Sequence, residues 1–591
     1  MRSSYYDEEL DYIRRLAQEF GASHQEAAHL VEPGQDPDVE RLLEGFAFLA
    51  AQVRQTLDDD FPELTHGLFQ LMWPNFLRPV PSLAIEQFKP KPGAVRGSVK
   101  VPRGAQVCSD DAAAALKFRF RTCWDVTLHP LELESSALEV TKSGESSLVL
   151  QFSLTGGAKY DALTLDSLRL FLHEDSRHSR LLYHHLLRHL KHATAWGDQD
   201  DTPVSLTIEP VGFAREDAVL PYPDGVPAGY RLLQEYFVFP QKFGFVDLVG
   251  LEKLAGAQVK SRFTVRIVFD TEPSQAMRVS KGDIRLFCTP VANLFAHVSE
   301  PVTLDGTKSS WPVRPQGRDQ SRLDIAWIEN MTLRAADRVE RPVPWFYSFA
   351  PDVFREAFAY FTARRQLAAD HESFQTWVTV VQPDGRARAA LEGVASFELL
   401  CTNGRAAGAL DVGTLKGTSD TSPTVATFEN ITKPTPQVEP PLRIGMLWRL
   451  LSLLSASHQA FQSGDALKAM LELMAAINAG APGRSEKGFV MGGQDERATR
   501  DIQRRIRGIR GVTPVPADRL YGGGMIRGTR VTVDVDPDPF EGIGQLFLFG
   551  SVLDEFLAGQ AGINTFTQLR VRYDEGRLPL EWPARLGRER A

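Results

Sequence analysis

The chain has 591 residues, of which 43% are hydrophobic and 24% are charged, and its formal net charge is −9. These values are typical of a globular protein with roughly three to four domains, and they exclude a largely disordered chain. The acidic balance also disfavours a nucleic-acid-binding protein, because such proteins are usually basic.

No feature of the N-terminus or of the apolar runs predicts export or membrane insertion. The sequence MRSSYYDEELDYIRR lacks the apolar region of a signal peptide. The best membrane candidate, residues 444–454, is short and contains Arg449, whereas a spanning helix needs about 18 apolar residues. We therefore expect a soluble, cytoplasmic protein. Its four cysteines are widely spaced and predict neither disulfides nor a zinc site: Cys108, Cys123, Cys288 and Cys401.

The first 85 residues show helical periodicity. Residues 5–20 repeat apolar side chains at three- and four-residue steps, and a second helix is expected to begin at Pro37 after Asp36. The acidic run 58–60 opposes the dipole at a helix C-terminus, so we expect a break there, a restart at Pro62, and an end at Trp73-Pro74.

These helices carry wide apolar faces in a module that is too thin to bury them within itself. We therefore predict that they pack against another chain. The predicted interface residues are Val39, Leu42, Phe46, Leu49, Val53, Phe61, Leu64 and Leu68.

From about residue 84 the apolar period changes from helical to alternating, which predicts strands. Alternation recurs in SLVLQFSL, LRLFL, VSLTI, FTVRIVF, IRLFC and LDIAWI, with further candidates in WVTVV and FELLC. One helical stretch, residues 179–193, interrupts them. We expect two β-rich domains, at residues 86–310 and 311–430.

The remainder of the chain is expected to be a linker followed by a mixed domain. Residues 431–443 are rich in proline and predict a semi-rigid linker. Residues 444–591 then show helices and a strand–helix–strand order, VTVDVD, LFLFGSVLDEFLA and TFTQLRVRY. The predicted fold class is thus α+β and multidomain, with an N-terminal helical region (1–85), β-rich middle domains and an α+β C-terminal domain.

A histidine-rich stretch is the main candidate for chemistry. If residues 179–193 form one helix, His185, His189 and His192 share a face, a spacing that can hold zinc or copper. The alternative is a solvated face behind the apolar stripe of the same helix. The full cluster is His173, His178, His184, His185, His189 and His192.

The other candidate motifs lack residues that their chemistry requires. HQEAAH is not HExxH, the glycine-rich YGGGMIRGT lacks GK[ST], and no GxSxG elbow occurs. The arginines of residues 496–511 suit either a phosphate or an acidic partner. We therefore expect no catalytic residues, no cofactor and no metal.

Several segments, in this order, resemble the TssF (ImpG/VasA) family of type VI secretion baseplate proteins. They are DPDVERLLEGFAFLAAQVRQTLDDDFPEL with WPNFLRPVPS, QEYFVFPQKFGFVDL, LFCTPVANLFAHVSEP, LLCTNG, LWRLLSLLS, IRGTRVTVDVD, FEGIGQLFLFGSVLDEFLA and INTFTQL. The chain departs from the family at residues 404–407, which read GRAA where many members have an Arg-Asp-Leu-Pro type run.

The resemblance implies a structural role similar to that of contractile-phage wedge proteins. It implies that two copies pack with one TssG, and that wedges join into a ring around the VgrG spike. TssK, TssE and, indirectly, the inner-membrane complex would be further partners, and the C-terminal domain would contact neighbouring wedges. Alternatives are a wedge protein of another contractile particle, or a metal-dependent enzyme using residues 173–192.

Overall fold

The computed structural model divides the chain into two compact units. One comprises Met1–Met72 with Pro441–Ser455, and the other Trp73–Pro440 with Ala456–Ala591. Within the residues that the structure describes, no helix is long and apolar enough to cross a membrane. These residues are 6, 9–16, 37–58, 62–109, 117–140, 144–173, 177–200, 202–223, 228–254, 258–273, 277–305, 308–317, 322–335, 338–347, 357–367, 374–382, 392–440, 452, 464–478, 495–521, 524–562, 564–574 and 577–587.

The first unit contains the expected N-terminal helices. Residues 9–16 are helical, α1 spans Pro37–Asp58, and α2 spans Pro62–Met72. Proline occupies the first position of both labelled helices, where its missing N–H leaves no bond unmade, and α1 has acidic residues in its first turn. The predicted start at Pro37, restart at Pro62 and end before Pro74 are confirmed.

In the second unit, the largest sheet has eight antiparallel strands in the order β13-β8-β11-β10-β9-β12-β7-β6. Two helices connect its strands along the chain, α3 (Arg177–Arg188) and α4 (Ala228–Val238). The strands are β6 (Leu131–Val140), β7 (Ser146–Leu154), β8 (Ser167–Leu172), β9 (Leu190–Gly197), β10 (Val204–Pro210), β11 (Phe245–Val249), β12 (Arg262–Phe269) and β13 (Ile284–Leu286).

A five-stranded sheet, β23-β1-β14-β4-β3, joins distant parts of the chain. Its strand β1 pairs on one side with β14 and on the other with β23, both antiparallel. A short ribbon, β2-β5, precedes the eight-stranded sheet in sequence. The strands are β1 (Leu83–Pro90), β2 (Val99–Val101), β3 (Gln106–Cys108), β4 (Arg119–Thr122), β5 (Val126–Leu128), β14 (Cys288–Ala292) and β23 (Ala426–Asn430).

A third group combines a five-stranded sheet, in which β15 and β16 both pair with β22, and a three-stranded sheet, β17-β21-β20. One apolar cluster contains residues of both sheets, including Phe361 and Phe397, whose ring centroids lie 6.5 Å apart. The strands are β15 (Phe295–Val298), β16 (Val302–Leu304), β17 (Trp311–Val313), β18 (Asp324–Ala335), β19 (Glu340–Val343), β20 (Tyr360–Leu367), β21 (Phe374–Val381) and β22 (Gly393–Thr402).

Strand pairing does not follow the expected division at residue 310. Because β15 and β16 pair with β22, residues 295–304 belong with the later β-rich group. Likewise, β1 pairs with β23 across more than 330 positions of sequence, for example Glu86 with Asn430. The alternation of apolar residues predicts strands well, but it carries no information about which strands pair.

The proline-rich segment was expected to be a linker. Instead, it forms hydrogen bonds with the residues just before β1 and with the first residues of β1. Val80 and Val438 exchange backbone hydrogen bonds of 2.8 and 2.9 Å. Two threonine hydroxyls add further bonds from β1: Thr435 Oγ1 accepts from Leu83 N–H at 3.0 Å, and Thr432 Oγ1 accepts from Ile85 N–H at 2.8 Å. The segment therefore extends this sheet.

The last part of the chain contains the predicted strand–helix–strand unit. Strand β25 (Gly524–Val535), helix α7 (Ile543–Gln560) and strand β26 (Phe566–Arg572) follow one another, and the two strands are parallel. Strand β24 (Ile509–Tyr521) forms an antiparallel hairpin with β25. Helices α5 (Gly464–Asn478) and α6 (Asp495–Arg507) precede it, and β27 (Leu580–Glu581) and β28 (Arg585–Leu586) follow.

Helix α7 is almost entirely buried and packs on α3, α4 and β26. Close approach depends on glycine: a Cβ on Gly544 would lie 2.3 Å from the Arg180 carbonyl oxygen, and one on Gly550 would lie 2.3 Å from the Trp582 ring. The buried Asp554 pairs with Arg585. Of the C-terminal domain expected at 444–591, residues 444–455 belong to the first unit, and helix α7 joins the remainder to α3 and α4.

The first prediction concerns Glu86, which lies in β1, is fully buried, and has no hydrogen-bond partner for either oxygen among the described residues. Burial, with a smaller effect of Glu429, raises the pKa of Glu86 well above its usual 4.5. Ionisation therefore opposes folding, and this cost grows as pH rises from 4.5 towards the folded-state pKa. We expect Glu86→Gln to stabilise the protein by roughly 1–3 kcal/mol at pH 8 but not at pH 4.5.

Thermal unfolding midpoints across pH would test this. The control is Glu216→Gln, since Glu216 is exposed and does not contribute to the raised pKa of Glu86. Parallel pH profiles for Glu86→Gln and the wild type would contradict the prediction.

The second prediction concerns Arg365, which is buried and binds both oxygens of Asp324, at 2.9 and 2.6 Å, and Glu439 at 2.9 Å. Arg365→Met leaves two carboxylates unpaired and should cost about 3–5 kcal/mol. Arg334→Met, at an exposed pair with Glu340, should cost no more than about 1 kcal/mol. Calorimetry of the two full-length variants makes the comparison, and equal midpoints would refute it.

Candidate protein–protein interface

One face of α1 exposes large apolar side chains. Leu42, Phe46 and Leu49 are 73%, 64% and 60% exposed. Their spacing of four and then three residues places them on one side of the helix. We call these three residues the α1 stripe; its exposure in the isolated chain is what an unoccupied interface requires.

Another side of α1 faces its own unit. Ala47 is fully buried, and Glu40 accepts a hydrogen bond of 3.0 Å from Nε of Arg14, in the helical residues 9–16. The Glu40 carboxylate also raises the pKa of the Arg14 guanidinium above its usual value. These contacts fix one side of the helix and leave the α1 stripe turned away from it.

The structure describes only part of the predicted interface. Leu68 is half-buried in α2. Val39, Val53 and Leu64 lie within the two helices, but their side chains are outside the described structure, as is all of Phe61. The prediction missed several exposed apolar residues of this unit that do not follow the same helical face, namely Tyr12, Leu16, Phe48, Leu71 and Met72.

The exposed set favours protein binding over solvent. Phenylalanine, tyrosine and methionine are enriched in interface cores, and exposed apolar surface commonly marks a site for a partner. Charged neighbours on α1, such as the exposed pair Asp38–Arg41, suit the polar rim of such a contact. The stripe therefore can bury apolar area but offers no group for catalysis.

The predicted histidine face does not form, because α3 ends at Arg188 and β9 begins at Leu190. His192 therefore lies on a strand, opposite Val268 of β12. The prediction that His185, His189 and His192 share one helical side is wrong, since apolar periodicity continues across the helix–strand junction. Among the described residues, no group of three or more His, Cys, Asp or Glu is arranged to hold a metal.

Three histidines do meet beside α7. The ring centroid of His189 lies 4.9 Å from that of His184 and 5.2 Å from that of His185, and His184 also lies 5.0 Å from Phe547. Burial lowers the pKa of His184 to about 3 and that of His185 to about 4. Both imidazoles are thus neutral at physiological pH and serve as packing groups.

A cleft of about 380 Å³ lies beside Trp124, and two of its charged residues, Arg169 and Asp247, pair with each other. Arg169 binds both oxygens of Asp247 at 2.8 Å. His129 lines the cleft, and its Nδ1 lies 2.9 Å from the Ser98 hydroxyl. Burial lowers the pKa of His129 to about 4, which makes it a weak base at neutral pH.

The segment QEYFVFPQKFGFVDL forms buried structural contacts and not a binding surface. Lys242 is fully buried and pairs with Glu235, which also accepts a 3.0 Å bond from Val219 N–H. Burial lowers the pKa of Lys242 to about 8 although Glu235 opposes this. Arg231 donates to the Phe213 carbonyl at 2.9 Å. The buried charges therefore hold residues 213–219 against α4.

All four cysteines are buried and free. Burial raises the pKa of Cys123 and that of Cys401 to about 12. Thiols of this kind are unreactive at neutral pH, because the thiolate is the reactive form.

Comparison with known structures links this fold to a secretion machine. The chain is similar to a chain of the type VI secretion TssK-TssF-TssG baseplate subcomplex determined by cryo-electron microscopy. The TM-score is 0.75 at 27% identity, covering 93% of this chain and 100% of that one. A chain of another type VI baseplate complex shares the fold, with a TM-score of 0.63 at 24% identity, covering 98% and 99% of the two chains.

Sequence comparison agrees over the full length. The chain is 28% identical to the type VI secretion system component TssF1 of Pseudomonas aeruginosa, covering 99% of this chain and 98% of the relative. The family model described as "Type VI secretion system, TssF" matches residues 2–589. The chain therefore belongs to the TssF family of type VI secretion baseplate subunits.

Proposed function

We propose that this protein is a structural wedge subunit, two copies of which pack with one TssG to build the ring around the spike. The sheath would assemble on this ring, and contraction would start from it. The α1 stripe, with the other predicted interface residues of α1 and α2, would form a helical bundle with TssG. TssK, TssE, VgrG and neighbouring wedges would be further contacts.

The observation that carries this proposal is the exposed α1 stripe in a chain of this family. Three large apolar side chains more than half exposed on one helix are costly in water, and burial at about 25 cal/mol per Å² would stabilise a complex. The structural relative described above comes from a subcomplex that contains TssG and TssK. An apolar, uncharged stripe is what a helical partner of that kind would cover.

The proposal includes a non-enzymatic role without cofactor, metal or nucleic acid. The lowered pKa values of His184 and His129 support this, because neither imidazole is an effective general base near neutral pH. It also places the protein in the cytoplasm, at the cytoplasmic face of the inner membrane when assembled. There it would reach the membrane complex only through other subunits.

The proposed contact between neighbouring wedges through the C-terminal domain needs point variants rather than truncation. Removing residues 440–591 would remove α7, whose burial against α3 and α4 is described above. Such a truncation would expose the apolar surface of both helices and would not report on assembly.

The first test is native mass spectrometry of the chain alone and after co-expression with its TssG, with metal analysis of the same sample. We expect a complex of two copies of this chain with one TssG, and no stoichiometric metal. A stable monomer that ignores TssG and carries bound metal would instead support a metal-dependent enzyme centred on residues 173–192.

The α1 stripe provides a separate prediction. Phe46→Asp places a charge at its centre, and we expect it to weaken TssG binding by roughly 30- to 1,000-fold, since central aromatic contacts contribute about 2–4 kcal/mol. Val412→Asp is the control, because Val412 is exposed but lies outside the first unit. Co-purification with TssG and the unfolding midpoint are measured for both. Unchanged co-purification of Phe46→Asp would refute the predicted seam.

A further inference from the structure

The β24–β25 hairpin extends beyond the sheet to which it belongs. Its pairing runs to Tyr521 opposite Gly524. Strand β26, however, pairs with β25 only over Gly528–Asp534. Residues 518–521 and 524–527 therefore form a two-stranded ribbon without a third strand, and we call these residues the hairpin tip.

The hairpin tip is apolar and exposed on both faces. Leu520 and Met525 lie opposite each other in the register and are 74% and 75% exposed. Tyr521 is also exposed, and it shares the other face with the half-buried Ile526. A two-stranded ribbon is barely stable by itself in water, so four apolar residues at its end favour a role in binding.

The edge of the hairpin is unsuited to strand addition. β24 is an edge strand, and Pro514 and Pro516 lack the N–H groups that an added strand would need. Its base is fixed by close packing, because a Cβ on Gly528 would lie 2.4 Å from the Phe566 ring. A partner is therefore expected to contact the side chains of the hairpin tip rather than the backbone of its edge.

The surrounding charge indicates the kind of partner. The hairpin tip contains two arginines and one carboxylate, so its formal charge is positive. At the tip, Arg519 and Arg527 are exposed, and Arg527 lies 3.7 Å from Asp518. A positive rim around apolar side chains complements an apolar groove with acidic edges.

We propose that the hairpin tip inserts into an apolar groove with an acidic rim on another protein subunit of the assembly. Leu520, Tyr521, Met525 and Ile526 fill the groove, and Arg519 and Arg527 meet its carboxylates. The wedge proposal enters only through the choice of partner subunits for the test.

A membrane fits the observations less well than a protein groove. Methionine, tyrosine and arginine together are typical of protein interfaces.

The test is photo-crosslinking from residue 520 of the full-length chain, purified with co-expressed TssG and TssK. The matched control carries the same photoreactive residue at Leu578, which is 88% exposed and lies outside the hairpin. We expect intermolecular crosslinks from 520 but not from 578, to peptides of TssG or TssK that contain carboxylates beside apolar residues.

Two sets of variants separate the apolar and the charged contributions. The double variant Leu520→Ser/Met525→Ser should weaken the association of this chain with the subunit that crosslinks to residue 520 about tenfold or more, as expected for central contacts. Arg519→Glu with Arg527→Glu should lower the crosslink yield from residue 520. Leu578→Ser, and Arg96→Glu with Arg322→Glu, are the controls at exposed positions.

Each outcome decides between the alternatives. An intact complex with TssG but no crosslink above the Leu578 control would overturn the inference and leave the wedge proposal standing. Crosslinks only within one chain or only to a second copy, or tip-dependent binding to phosphatidylglycerol vesicles, would also overturn it. If TssG and TssK do not bind at all, the wedge proposal and this inference both fail.

Discussion

The burial of α7 is the interaction on which the second unit depends. An 18-residue helix with almost no exposed face must receive a complementary surface on every side. Here α3, α4 and β26 supply it. The glycines facing Arg180 and Trp582 allow backbone and ring to approach more closely than any side chain would permit. Apolar area buried in this way joins elements that are more than 350 residues apart in sequence.

Most secondary structure could be predicted from the sequence, because its signals are local. Prolines at 37 and 62 and the alternation in β7, β10 and β12 led to elements that the structure contains. The predictions failed where an element ends without a helix-breaking residue in the sequence. Helix α3 ends at Arg188 and β9 follows without an intervening proline or glycine. The predicted helix, and with it the histidine face, therefore extended about one turn too far.

Pairing between distant segments could not be predicted, because the apolar alternation of one strand is compatible with many partner strands. Residues 295–304 alternate like their neighbours on either side, yet they pair with β22. The proline-rich segment is a similar case. Its threonines are ordinary in composition, and only the positions of the Leu83 and Ile85 N–H groups give their hydroxyls a role. In the candidate interface, the exposed face of α1 could be predicted from its helical periodicity. The additional exposed residues of the first unit do not follow that periodicity.

The position of β1 in the chain has a consequence for biosynthesis. Its partner β14 is made about 200 residues later, and β23 about 340 residues later. At about 5–20 residues per second, the ribosome needs roughly 20–70 s to supply β23. Throughout that interval β1 has no completed sheet, and the apolar helices of the first unit have already been translated. During that interval, chaperones or early capture by a partner subunit would protect this apolar surface from aggregation.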